Sequence, residues 1–333
     1  MYMKSSGIGG QAVIEGIMMK NKDKYAIAVR KPNQEIEVDV RDTNSLAKKY
    51  KVLKLPIIRG IYNFVSSLVE GMKILTYSAS FFEEEEEKPS KADEALNRVF
   101  KDKAENVVMG ITVAFSIVFA VGLFMVLPYV VSELLRAYIG SPTLMALIEG
   151  VIRLSLFIGY ILLITLMKDI QRVFMYHGAE HKCINCIESG LPLTVENVKV
   201  SSRFHKRCGT SFLLIVMVIS IIFFIFIRTN NSVFRLFLRI LLVPVIAGVS
   251  YEFIRLAGMS DNKFVNFLSK PGLLLQRLTT KEPDESMIEV GIKSVEAVFD
   301  WEQYLLEEGV LTKREVQQEK IEKEFTLAEN ESR

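Results

Sequence analysis

Two stretches of this chain run for twenty or more residues without a charged side chain, Asn106 to Ser132 and Cys208 to Ile227. Hydrocarbon offers no partner for backbone polar groups, so a run of this kind spans a bilayer only as a helix that bonds to itself. Leu144 to Met167 and Val233 to Leu256 are equally long. They carry Glu149 and Arg153 in the first, and Arg235, Arg239, Glu252 and Arg255 in the second. Glu149 and Arg153 have the i, i+4 spacing of a pair on one helix face, and long basic side chains near a span end reach the headgroups. The expected fold class is mainly α: a polytopic α-helical membrane protein with about four transmembrane helices and a small N-terminal β-rich cytoplasmic module.

Basic loops stay in the cytoplasm, and the segment 168–208 between the second and third spans holds Lys168, Arg172, Lys182, Lys199, Arg203, Lys206 and Arg207. The opposite connectors offer little beyond Arg136 and Arg228. An even number of spans then leaves both termini cytoplasmic, in agreement with Arg98, Lys101 and Lys103 before the first span and Lys263, Lys270 and Arg277 after the last. The expected location is a bacterial cytoplasmic membrane, with the lipid bilayer and a divalent metal as partners. A formal net charge of +2 over 333 residues gives no reason to invoke nucleic acid. Protein partners are not legible, and a homo-oligomer is compatible with the sequence. Three cysteines on a reducing face make no disulfide framework. Met1 to Lys20 lacks the continuous apolar core of a cleaved leader.

Five segments follow from the patterning. Residues 1–55 read as the β-rich module, because Ile36, Val38 and Val40 alternate with Glu35, Glu37 and Asp39 after the Lys31-Pro32-Asn33 turn. Residues 56–82 read as an amphipathic helix with Ile57, Ile61, Phe64, Leu68, Met72 and Leu75 on one face, lying at the membrane surface or covering the N-terminal module. The acidic run Glu83 to Glu87 opens a charged linker, 83–103. Residues 104–258 form the transmembrane domain with its cytoplasmic His/Cys loop 168–208. Residues 259–333 form C-terminal cytoplasmic helices, with Ile288, Ile292, Val295 and Phe299 in helical register, and a charged tail.

All three histidines and all three cysteines fall in two short segments, 176–186 and 203–209. On a helix, His177, Glu180 and His181 at i, i+3 and i+4 share a face, so two imidazoles can meet one metal beside a carboxylate. His205 and Cys208 add nitrogen and sulfur donors just before the third span. By topology Glu252, near the cytoplasmic end of the fourth span, stands at a similar depth, and an intramembrane carboxylate is by default a functional candidate. The expected set is a metal held by His177, His181 and a third ligand from His205, Cys208 or Glu252. Mixed nitrogen, sulfur and carboxylate donors suit Zn2+, although another divalent ion fits. Glu180, if not a ligand, is the expected catalytic general base. The bland reading is that the histidines bond to headgroups or carbonyls. Cys183-x-x-Cys186 would suit a redox pair or zinc knuckle, and a thiol nucleophile at Cys186 or Cys208 is a further reading. Gly9-Gly10-Gln11 has no phosphate-loop spacing, and its glycines are expected to serve a tight turn into the first strand.

Four motifs resemble the YqhQ-like family of bacterial membrane proteins, a domain-of-unknown-function family. They are Gly-Gly-Gln-Ala-Val-Ile-Glu-Gly-Ile-Met-Met (9 to 19), His-Gly-Ala-Glu-His-Lys (177 to 182), Leu-Thr-Val-Glu-Asn-Val (193 to 198) and Ser-Arg-Phe-His-Lys-Arg-Cys-Gly-Thr-Ser-Phe (202 to 212). The likeness extends to Leu278-Thr-Thr-Lys-Glu-Pro283. It implies a predicted metal-dependent enzyme without an established substrate, and its pattern falls on His177, Glu180, His181, His205 and Cys208. Cys183 departs from that pattern, where relatives carry Thr, and this weighs against the Cys-x-x-Cys reading. The leading expectation is therefore a metal-dependent hydrolase facing the cytoplasm. The alternatives are a non-catalytic membrane scaffold or assembly factor with a structural metal site, and a transporter with a polar path from Glu252 toward Arg153.

Overall fold

The computed structural model describes residues 5–43, 46–82, 104–227, 229, 231–258 and 263–310. The acidic linker at 83–103 and the charged tail beyond 310 lie outside the described residues. Four strands, β1 (Gly9–Val13), β2 (Gly16–Asn21), β3 (Lys24–Arg30) and β4 (Ile36–Asp42), form an antiparallel meander in the order β1-β2-β3-β4. Two-residue turns close the first two hairpins, with Val13 opposite Gly16 and Asn21 opposite Lys24. Their turn residues Glu15 and Lys22 take positive φ of 49° and 51°, the left-handed conformation that tight hairpins demand. In the edge strand β4, Ile36 and Val38 pack against the core, but the expected alternation breaks at Val40, which is 46% exposed between half-buried Asp39 and Arg41. Ile17, Met18 and Met19 in β2 and Ala26 to Val29 in β3 are all buried, because the sheet is covered on both faces.

Helix α1 (Ile58–Ala79) covers one sheet face, where Ile74 packs with Val13, Met18, Ile27 and Val29. The other face meets α5 (Lys168–Glu188) and α10 (Glu285–Glu296) through Ile17, Met19, Tyr176, Cys183, Met287 and Ile288. This is the amphipathic C-terminal helix expected from Ile288, Ile292 and Val295. The short α11 (Trp301–Glu307) closes the same core through Trp301 and Leu305.

The apolar helices are α2 (Ala104–Val121), which runs through a π-helical turn at Gly122–Val126 into α3 (Leu127–Leu134), then α4 (Pro142–Ile164), α7 (Gly209–Ile225) and α8 (Ser232–Gly258). The π turn ends two residues before Pro128, whose missing N–H disturbs the regular ladder. Three stretches, Gly110–Leu134, Pro142–Ile164 and Ser232–Leu256, are long and apolar enough to cross a membrane. The fourth, α7, has 17 residues and is about 25 Å long at 1.5 Å per residue. Phe115, Ile117, Val118 and Phe119 on α2 are 59–70% exposed, an apolar surface that an aqueous protein would bury.

Helix α1 does more than cover the sheet. It bridges the sheet and α8: a β-carbon on Gly60 would stand 2.7 Å from the Gly248 carbonyl oxygen, so the two helices meet backbone to backbone. Arg59 forks onto Glu252, and Asn63 donates to the Tyr251 hydroxyl at 2.7 Å. Its outer side still presents Val65, Leu68, Val69 and Leu75. The segment expected as a loop at 168–208 is mostly helix. After a break at Thr165–Met167, α5 continues from α4; the short α6 (Val195–Val200) follows, and α9 (Lys263–Thr279) then returns the chain from α8 to α10.

Candidate metal centre and its pocket

His177, Glu180 and His181 project from α5 at the spacing that places them on one side. Each imidazole is pinned through Nδ1: His177 Nδ1–H donates to the Thr279 carbonyl at 2.8 Å, and His181 Nδ1–H donates to the Arg203 carbonyl at 2.7 Å. A carbonyl oxygen only accepts, so Nδ1 carries the hydrogen in each ring and Nε2 is the nitrogen left to bind a metal. This is the arrangement that orients imidazole ligands around a metal. The two ring centroids are 4.4 Å apart.

Cys208 is the N-cap of α7, and its Sγ accepts from the Thr210 backbone N–H at 3.4 Å. The same sulfur lies 3.3 Å from His177 Nε2. One donor atom from each of His177, His181 and Cys208 lies within 4.8 Å of the other two. Tetrahedral zinc holds its nitrogen and sulfur donors roughly 3.3–3.8 Å apart, so the chemistry and spacing of this set fit one such ion after a small contraction.

A cavity of about 330 Å³ lies beside these donors. Glu180 lines it, buried against Gly10, whose backbone N–H bonds to the carboxylate. Burial raises the Glu180 carboxyl above its ordinary range, with the neighbouring His177 and the Gly10 N–H opposing that rise. A β-carbon on Gly10 would stand 2.8 Å from Glu180 Cγ and 2.7 Å from the Met18 carbonyl oxygen. The expected tight turn is not what these glycines make: Gly9 and Gly10 are paired residues of β1, and the bare backbone of Gly10 is what fits over the carboxylate.

The remaining motif residues brace the site. A β-carbon on Gly178 would meet the Lys281 carbonyl oxygen at 1.9 Å, so only glycine lets the 279–283 segment cross α5 and present the Thr279 carbonyl to His177. Lys182, 4% exposed, donates to the Lys199 and Ser201 carbonyls and pairs with Glu282 at 2.9 Å. Gln276 accepts from the His205 N–H at 2.9 Å and donates to the His205 carbonyl at 2.8 Å.

His205 lines the cavity with its ring centroid 5.7 Å from that of His181, but its Nε2 is turned to Glu188 at 3.5 Å. Burial lowers the His205 imidazole below its ordinary value, against the hydrogen bond that its ring N–H donates to the Glu188 carboxylate. Glu188 also takes Arg207 at 2.6 Å and the Ser6 hydroxyl at 2.7 Å. Sequence reasoning missed Glu188, though it lies seven residues after His181, on the same helix face. It missed Gln276 and Thr279 as well, whose spacing from the histidines carries no local signal.

Glu252 stands apart from the set. Its carboxylate is occupied by Arg59, with Arg255 at 3.6 Å. Cys183 and Cys186 also face away, into the core between α5 and the sheet. Cys183 Sγ would stand 2.8 Å from a β-carbon on Gly291, and Cys186 Sγ bonds to the Pro192 carbonyl at 3.3 Å. Burial pushes the Cys183 thiol well up and Cys186 to about 11, the opposite of a reactive pair.

No solved structure matches the chain. The uncharacterized protein YqhQ of Bacillus subtilis (strain 168) is 36% identical over 291 residues, covering 86% of this chain and 90% of the relative. A family model described as a protein of unknown function, DUF1385, matches residues 55–301, and with that the chain belongs to the DUF1385 family of YqhQ-like proteins.

Proposed function

We propose that this protein is a multi-pass bacterial cytoplasmic-membrane enzyme, a zinc-dependent hydrolase whose site opens on the cytoplasmic face. The observation that carries the metal reading is the pair of histidines held through Nδ1 beside Cys208. His177, His181 and Cys208 would hold the ion. A bound zinc would supply Lewis acidity and lower the pKa of water toward neutrality. Glu180 lines the adjoining cavity and is the group placed to take a proton, with a carboxyl raised by burial in the direction a base at neutral pH needs. His205, ordered by Glu188 and Gln276, stands at the cavity wall as a positioning residue, its Nε2 turned to Glu188.

The membrane reading rests on the three long apolar helices together with α7. With four spans both termini stand on one side, and the basic residues of α5 and of the 201–207 segment support the reading that this side is cytoplasmic. A structural metal knot without catalysis is the second reading. It requires a fourth protein donor, whereas the described residues bring only His177, His181 and Cys208 into one group.

Metal analysis of the purified full-length protein tests the first half. About one zinc per chain is expected, lost in His177→Ala and Cys208→Ala, and a metal-free wild type that takes up neither zinc nor cobalt overturns the reading. Cobalt substitution separates the donors, because thiolate-to-cobalt absorption should vanish in Cys208→Ser alone. Glu180→Gln should keep the metal; with metal retained, unchanged hydrolysis of any ester or phosphoester substrate found for the wild type would remove Glu180 as the base.

A further inference from the structure

A second cavity, of about 400 Å³, lies at the other end of the apolar helices, between the C-terminal end of α3, the start of α4, the end of α7 and the start of α8. Sixteen residues of α7 separate Cys208 from Phe224 on its wall, about 24 Å at 1.5 Å per residue, so it is distinct from the histidine site.

Four arginines share two glutamates here. Arg153, at 2.8 Å, and Arg239 both take Glu149, while Arg136, at 2.8 Å, and Arg235, at 3.4 Å, both take Glu133. Two positive charges are left over. Arg153, Arg239 and Glu149 are only 3–5% exposed, and both guanidinium groups stand over the Phe224 ring, at 4.8 and 5.0 Å. The Nε atoms of Arg153 and Arg239 have no hydrogen-bond partner among the described residues. Buried surplus cations with unspent donors are costly in an apolar bundle, and they are offset most directly by an anion. Arg136, Arg235 and Arg239 line one part of the cavity, and Met145, Phe224 and Ile225 line another.

We propose that this cavity binds a phosphate group, carried by a membrane lipid or present as the free ion. The guanidinium fork matches two phosphate oxygens at once, and the apolar wall suits an acyl chain beside it. The lipid source rests on the membrane reading above; the phosphate chemistry does not, and neither depends on the metal.

The test uses the full-length protein in phosphatidylcholine nanodiscs with and without phosphatidic acid, and in detergent with inorganic phosphate against chloride, read by native mass spectrometry and thermal unfolding. Retention of phosphatidic acid with a raised midpoint, weakened about tenfold in Arg239→Gln, supports a lipid phosphate. The same shift with inorganic phosphate supports the free ion. No preference for phosphatidic acid over phosphatidylcholine and no phosphate shift overturn the proposal. If Arg239→Gln does not fold, Arg136→Gln carries the comparison, because that side chain is 42% exposed. Failure of the membrane reading looks different: the chain then stays out of the discs and is released by alkaline carbonate, while the phosphate arm can still be run on the soluble material.

Discussion

Gly178 and Lys281 are in backbone contact, so close that a β-carbon on Gly178 would stand 1.9 Å from the Lys281 carbonyl oxygen. A neighbouring side chain would rotate away, but this carbonyl belongs to backbone held in place, since the Lys281 N–H donates to the Phe174 carbonyl at 2.8 Å. Gly178→Ala should therefore lift the 279–283 segment off α5 and take the Thr279 carbonyl from His177. We expect destabilisation of about 2–4 kcal/mol, the upper range for overpacking against fixed backbone, together with loss of zinc. Unfolding in detergent and metal content measure the two effects. Normal stability and metal content in Gly178→Ala would show that the segment moves freely.

Glu188 gives the site an acid dependence. Burial alone would raise its carboxyl, yet the hydrogen bond from His205, the Arg207 guanidinium and the Ser6 bond outweigh it and bring the group down to about 2. A folded value below the unfolded one contributes stability that is complete above about 4.5 and is lost as pH falls through about 2. The shift corresponds to about 3 kcal/mol. Comparing wild type with Glu188→Gln should show the wild type more stable by that order at pH 6 and the gap closing toward pH 2. A gap independent of pH would mean the carboxylate is not held by these partners.

The sequence showed some of this and hid the rest for identifiable reasons. The Glu149–Arg153 pair was legible because it is local, one helical turn, and the β4 alternation held at Ile36 and Val38 but failed at Val40, which the sheet edge leaves exposed. Strand β2 was not, since Ile17, Met18 and Met19 are buried from both sides and lose the period that marks a strand. The histidine cluster was visible from composition alone. Its supports were not, because Thr279, Gln276 and Gly10 reach it from segments up to 170 residues away in the chain. Glu252 was placed by depth along a span, but depth does not fix azimuth, and α1 supplies Arg59 to occupy it.

The three thiols should separate cleanly. Cys208 borders the cavity, whereas Cys183 and Cys186 are 0% exposed within the core. In native protein stripped of metal, a small alkylating reagent should modify Cys208 first, and Cys183 and Cys186 only on unfolding. Cys183→Ser should cost about 1–3 kcal/mol through a buried hydroxyl without a partner and leave zinc content unchanged. Loss of zinc in a folded Cys183→Ser would restore the Cys-x-x-Cys pair as a metal site.

Glu149 is the single carboxylate between two buried guanidinium groups, with Ser220 taking Arg153 at 2.8 Å on the far side. Removing it leaves Arg153 and Arg239 facing each other with no counter-charge, and breaking a buried pair in this way costs about 3–5 kcal/mol. Replacing Arg239 by an apolar side chain in the same molecule removes half of that surplus. Arg153 then keeps Ser220 and the Phe224 ring. Glu149→Ala should thus be strongly destabilised in detergent unfolding, and Glu149→Ala with Arg239→Met should recover by roughly 1–3 kcal/mol, the size of a coupled pair. Additive losses in the double variant would mean that the cavity admits enough water to screen the two charges, and the surplus charge behind the phosphate site would then carry little weight.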